Sequence, residues 1–262
     1  VALYKRLINK DRKGGHLLLN KPEKKTTADN IYSELGNSII EMRIRPGVIL
    51  TINDLAQEMN VSRSPVRDAL IRLEREGLIM TLPQKGIMIS KINLEKAQKE
   101  QYIRYSVEIN VLKEFVDNYT RKHISDLNSL IEQQEKAIKE KDTRAFLSLD
   151  DEFHKYFFAA TDKQYCAELI WGDAGNYQRL RQLICVDTTH EESVLSEHRQ
   201  MIEAIKKKDE ESLIHIASQH LLDIDDNAIK IGEQYPELFE ALPKKGKMRI
   251  FGDDFLGGLV KG

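Results

Sequence analysis

Cysteine is nearly missing from this chain, with two residues, Cys166 and Cys185, among 262. Two thiols cannot build a disulfide framework and their spacing makes no metal-binding pair, so both are expected as buried thiols in a reducing compartment. Also missing is any apolar run near the ~20 residues that a bilayer-spanning helix needs, and no secretory leader pattern opens the sequence. The expectation is a cytoplasmic protein with no membrane partner. Charge of one sign is lacking too: 40 Lys and Arg stand against 42 Asp and Glu, a net of −2. That excludes a uniformly basic nucleic-acid coat and an acidic disordered tail. What is present is 41% hydrophobic residues, enough to bury one large core or two smaller ones.

The near-neutral total conceals an asymmetry. Residues 1–90 hold 15 Lys/Arg and 10 Asp/Glu, while the remainder holds 25 and 32. Eight of the front's basic residues lie in 1–25, where only two acids oppose them, so a solvated tail explains the excess as well as DNA does.

Four segments follow from the patterning. Residues 1–25 show no sustained period and read as an N-terminal extension. Over 26–91 the pattern is helix, helix, turn, helix, hairpin. Ile31, Leu35, Ile39 and Ile40 share one face of a first helix that Arg45-Pro46-Gly47 ends. A short second helix runs from Asn53 to Met59. In a third, Val66, Ala69, Leu70 and Leu73 fall at i, i+3, i+4, i+7, with Pro65 in the first turn and Gly77 as C-cap. Strand, turn and strand then run from Leu78 to Ser90. Residues 92–235 carry helical periodicity over 94–119, 123–140, 143–160, 164–184, 191–207 and 210–233, a short-looped bundle with no strand. The tail, 236–262, is rich in Gly, Pro and Lys and promises little core. The fold class is mainly α: a winged helix-turn-helix followed by an all-α bundle.

A helix pair joined by a tight turn sets the N-terminus of its second helix against base edges in a major groove. Here that end carries Ser62, Arg63, Ser64 and Arg67, and at about 100° per residue both arginines clear the apolar face. A guanidinium suits the task because its planar fork pairs with guanine or clamps a phosphate. Lys85 and Gly86 sit at the hairpin tip, where a lysine adds charge and a glycine permits close backbone approach. The plainer alternative is a solvated amphipathic helix whose arginines pair with Asp68, Glu74 and Glu76.

This stretch resembles the winged helix-turn-helix of the GntR family of bacterial transcription regulators, through Tyr32-Ser33-Glu34-Leu35, Arg45-Pro46-Gly47, Leu55-Ala56, Val61 to Leu70 and Leu73 to Ile79. The resemblance implies that Arg63, Arg67 and Gly86 hold operator DNA, with Ser62 and Ser64 as accompanying hydroxyls. Some relatives have a DNA-contacting arginine where this chain has Asn53.

Of the seven histidines, His16, His123, His190 and His215 have no company that suggests chemistry. Asp150 and His154 are four apart, one helical turn on a single face. His198 and His220 lie at similar apolar settings on two further helices. One carboxylate and three imidazoles facing a common cavity can hold a divalent transition metal, whose open positions would grip an anion. The alternative is three hydrogen-bonded core histidines and a solvated aspartate.

The back half resembles the FCD ligand-binding domain of FadR-type GntR regulators, on Arg104 to Glu108, Asp150 to His154, Glu197-His198 and His220-Leu221. The resemblance implies zinc or nickel on Asp150, His154, His198 and His220, and a small carboxylate or sugar-acid effector beside the ion. It also turns Arg104 into the pocket as a carboxylate partner. Asp162 stands near a position where relatives often have asparagine. The function so implied is an effector-responsive transcription regulator, a repressor, acting as a homodimer on palindromic double-stranded operator DNA. Two rivals come from other classes. One is a helical metalloenzyme on the same Asp/His cluster with Glu197 as base, although Glu197 points away from His198 on its helix. The other is a winged helix that meets protein.

Overall fold

The computed structural model describes residues 26–185, 188–222 and 224–240. The expected extension over 1–25, with His16, and most of the tail lie outside them. Among the described residues a front lobe of three helices and a three-stranded sheet is followed by a helical lobe.

The front lobe consists of α1 (Thr27–Ile40), β1 (Ile49–Leu50), α2 (Ile52–Glu58), α3 (Arg63–Arg75), β2 (Ile79–Leu82) and β3 (Gly86–Ile89). Two helices start on reciprocal capping boxes: Thr26 with Asp29, and Thr51 with Asp54. Ser62 occupies the N-cap of α3 but its side chain makes no cap bond. Ile31, Leu35, Ile39, Leu55, Val66, Ala69, Leu70 and Leu73 meet Ile79, Ile87 and Ile89 in one core. The sheet is antiparallel in the order β1-β3-β2, with Met80 opposite Met88 and Leu82 opposite Gly86. β1 is an addition to the sequence reading: two residues between a Pro-Gly turn and a helix cap offer no visible alternation.

The helical lobe contains α4 (Leu94–Asn118), α5 (Arg121–Glu140), α6 (Thr143–Ala160), α7 (Gln164–Gly172), α8 (Gly175–Ile184), α9 (Thr188–Lys207), α10 (Glu210–Leu222) and α11 (Ile224–Gln234). Its main core joins Leu112, Phe115, Phe153, Phe157, Phe158, Met201 and Leu213. Three expectations need correction. The segment 164–184 is two helices, broken at Asp173-Ala174; apolar spacing continues across the break and hides it. Residues 236–240 do contribute core: Leu238 and Phe239 are buried against Ile92, Leu94, Tyr177 and Leu180, and Phe239 forms a parallel bridge with Ile92. Finally, Cys185 is buried but Cys166 is only half-buried.

The lobes join through a fixed link. Arg179, fully buried on α8, donates to the Ser90 carbonyl oxygen at 2.5 Å and to its own helix at Gly175. Asn176 beside it accepts from the Asn93 backbone N–H at 3.0 Å. Buried Glu100 accepts from the N–H groups of Asn176 and Tyr177, so a carboxylate sits where the α8 dipole is positive. Burial, the largest influence, raises the Glu100 pKa despite these bonds.

Candidate functional sites

At the front lobe, the residues singled out in the sequence share one end. Ser62, Arg63, Ser64 and Arg67 are exposed on the first turns of α3. Neither arginine makes a hydrogen bond or ion pair among the described residues. Of the acids in the pairing alternative, Glu74 accepts from the Thr81 N–H and Glu76 from the Tyr32 hydroxyl, while Asp68 is exposed on the same helix and bonds neither arginine. The α3 arginine that does pair is Arg72, which reaches Asp29 at 2.6 Å and lies over the Tyr32 ring. Asn53 is exposed at the start of α2. Lys85 is exposed in the β2–β3 turn.

Gly86 has a structural duty apart from any phosphate. Its φ is +119°, and a Cβ there would lie 2.3 Å from the Leu50 carbonyl oxygen. The glycine is required by the close passage of β1, which the sequence reading did not contain.

In the helical lobe, α6 supplies Asp150 and His154, α9 supplies His198 and α10 supplies His220. One ligand atom from each lies within 4.8 Å of every other. The shorter separations are His154 Nε2 to His220 Nε2 at 3.0 Å, His198 Nε2 to Asp150 Oδ1 at 3.5 Å and His154 Nε2 to Asp150 Oδ1 at 3.9 Å. Donors ~2.1 Å from one ion are themselves about 3–4 Å apart, so the set fits a transition-metal shell.

A second layer fixes the imidazoles. His154 Nδ1 donates to Glu108, His198 Nδ1 to Gln134 Oε1 at 3.0 Å and His220 Nδ1 to Glu197 Oε2 at 2.7 Å. With Nδ1 of each ring donating, every neutral ring presents an Nε2 lone pair inward. His198 Nε2 is buried without a hydrogen-bond partner. Three converging lone pairs and a carboxylate oxygen form a donor set that suits a cation.

The charges agree. Burial opposes ionisation of Asp150, but Arg181 and the imidazoles hold its carboxyl far below the usual range. Burial likewise opposes ionisation of Glu108, yet His154 and Arg104 bring it down to about 2. Burial, and then His220, pushes His198 well below 6.5, which keeps it neutral and able to ligate.

Beside this cluster is a small cavity of about 30 Å³ lined by Arg104, Asp150, Tyr177, Arg181, Glu197 and His220, among others. Arg104 is 3% exposed, bonded to Glu108 at 3.0 Å and near the Tyr177 hydroxyl at 3.4 Å, while its Nη2 has no partner. Arg181 bonds Asp150 and, at 2.7 Å, Asp151.

Several of these groups escaped the sequence reading. Arg181 was detectable as an arginine inside the Tyr177, Leu180, Ile184 stripe, and Glu108 as the i+4 partner of Arg104. His190, which has no chemical company in the sequence, lines the cavity. Glu197 points away from His198 as expected, but toward His220. The remaining histidines stay apart: His123 closes the capping box of α5 and His215 is exposed. Asp162 is exposed in a left-handed turn, φ +57°, outside the cavity lining.

Comparison with known proteins accords with both lobes. Residues 27–89 match the family model "Bacterial regulatory proteins, gntR family", and residues 102–223 match the FCD domain. The chain is 29% identical over 209 residues to the HTH-type transcriptional repressor RspR of Escherichia coli K12, covering 80% of this chain and 92% of that protein. It is also 29% identical to the gluconate operon transcriptional repressor of Bacillus subtilis, covering 78% and 85%. Among solved structures, E. coli McbR/YncC shares the fold at a TM-score of 0.68 and 18% identity, covering 80% of this chain and 99% of that one. Two adjoining domain matches in the expected order, with relatives that align across both, make the chain a member of the GntR family of transcription regulators, in its FCD-containing branch.

Proposed function

We propose that the chain is an effector-responsive repressor, with residues 26–91 as DNA reader and 92–235 as sensor. The sensor would hold a divalent transition metal, zinc or nickel, on Asp150, His154, His198 and His220. The observation that carries the sensor half is the inward convergence of three Nε2 atoms whose opposite ring nitrogens are engaged by Glu108, Gln134 and Glu197. Such an ion supplies a Lewis-acid grip for a carboxylate. Arg104, with one nitrogen unpartnered beside the cluster, is the matching cation for the effector. The cavity as it stands has room for about two waters. A small carboxylate or sugar acid therefore enters by loosening the Arg181 contact with Asp150. Repression accords with the names of the RspR and gluconate-operon relatives.

On the reader, exposed Arg63 and Arg67 would take base edges or phosphates, with Ser62, Ser64, Lys85 and Gly86 against the backbone. One reader covers little DNA, so two on a palindrome are expected. Ile103 on α4 and Tyr165 and Leu169 on α7 are exposed at 55%, 71% and 57%, which gives the sensor an apolar face for a homodimer contact.

Helix α8 is the route between the halves. Tyr177, Arg181 and Ile184 border the cavity, while Asn176 and Arg179 hold the link at residues 90–93. An effector that shifts Arg181 thus acts on the helix that fixes the reader, and differential affinity for the two placements couples the sites. The test is operator binding by metal-loaded protein titrated with gluconate and other small carboxylates. A change in operator affinity is expected; indifference to every acid that the sensor binds would refute the coupling.

A further inference from the structure

The sensor cavity is not the roomiest in the protein. Between the reader and the helical lobe runs a cleft of about 340 Å³, within the range of small-molecule sites. One wall is α1 of the reader, through Asn37 and Ile40; the other is α6, α7 and α8. Its cations are the informative feature. Lys155 is half-buried and makes no hydrogen bond or ion pair among the described residues; what its ammonium meets is the Trp171 ring, 5.0 Å to the centroid. Arg144 on the same helix is likewise unpaired. Of the acids in the lining, Asp151 attracts Lys155 from beyond pairing distance but is bonded to Arg181, and Glu41 is bonded to Arg43. Along the floor, Ile40, Leu147 and Trp171 offer apolar surface beside the amides of Gln178 and Gln182.

We propose that this cleft is a second ligand site, separate from the metal cluster, for a small organic anion with an apolar body. Its carboxylate would lie between Arg144 and Lys155 and its body along Trp171, Leu147 and Ile40. A half-buried ammonium without an acceptor is a cost that such an anion relieves. Because α1 forms one wall, an occupant ties the reader to the sensor directly. The site stands whether or not the cluster holds a metal.

Trp171 is the chain's single tryptophan and lines the cleft; because the Arg104 guanidinium also lies over its ring at 4.9 Å, the cleft variants and His198→Ala assign the signal to one site or the other. The full chain is titrated with phthalate and benzoate, with inorganic phosphate as an anion that lacks an apolar body. Saturable change in emission is expected with the aromatic acids, weakened about tenfold or more in Arg144→Gln and in Lys155→Met. Arg144 is exposed, so the first variant keeps the fold. His198→Ala is expected to leave this binding intact. Absence of saturation, parent-like affinity in both cleft variants, or loss of binding only in His198→Ala would overturn the proposal.

Discussion

The Nε2 atoms of His154 and His220 face each other at 3.0 Å, while the opposite nitrogen of each ring is held by a glutamate, Glu108 for one and Glu197 for the other. Two lone pairs at that distance repel unless a cation or a proton lies between them. The surrounding glutamates thus preset the rings for a positive guest, as outer partners of metal-bound histidines do.

Removal of one ring should therefore empty the site. His198→Ala is expected to lower bound metal, measured by elemental analysis, with helical content retained. Chelation of the parent protein is expected to lower its melting temperature, because a ligand of the native state alone stabilises it. Unchanged metal stoichiometry in the variant would remove His198 from the ligand set.

Acid should unfold the metal-free protein earlier than its helices alone would suggest. Burial and the nearby His220 depress His198 well below 6.5, whereas the unfolded chain takes up that proton near 6.5. Below 6.5 the unfolded state therefore binds more protons, and stability falls as pH drops. Melting temperatures of chelator-treated protein from pH 7.5 to 5 should decline through this window, less steeply in His198→Asn. A flat profile would contradict the burial of a neutral ring.

Arg67→Ala is expected to cost ~1–3 kcal/mol of operator affinity if the guanidinium pairs with a base, with relaxed specificity at that position. A phosphate contact would instead weaken all duplexes alike and reduce the salt slope. Fluorescence anisotropy at several salt concentrations separates the two outcomes, and an unchanged affinity would show that Arg67 is only solvated.

Gly86→Ala tests which duty the wing glycine serves. Its Cβ would meet the Leu50 carbonyl at 2.3 Å in a backbone region that side chains avoid. A stability loss of about 1–3 kcal/mol is expected in urea denaturation without DNA. If only operator binding suffers, the glycine serves phosphate approach and the β1 contact yields easily.

The front lobe was legible because its signals are local. Val66, Ala69, Leu70 and Leu73 specify a buried face without reference to anything distant, and Gly77 marks the helix end with φ +73°. β1 was not, since two residues hold no period and their partners on β3 are distant in the chain, Ile49 opposite Met88 and Leu50 opposite Ile87. The same divide runs through the sensor. Asp150 and His154 announce themselves by a four-residue step, but Arg181 enters only when α8 crosses α6, and Gln134 only when α5 meets α9. Phe239 was obscured by its neighbours: a polar tail gives no hint that one ring returns to cover Ile92.

The bond from Arg179 to Ser90 ends on a main-chain oxygen, so by itself it would accept any residue at that position. The rest of the seam is not so tolerant, because the Leu78 and Ile40 side chains of the reader close over Gly175 at the start of α8. A foreign reading head grafted here would have to bring its own counterparts of those two side chains before one sensor could serve new operators.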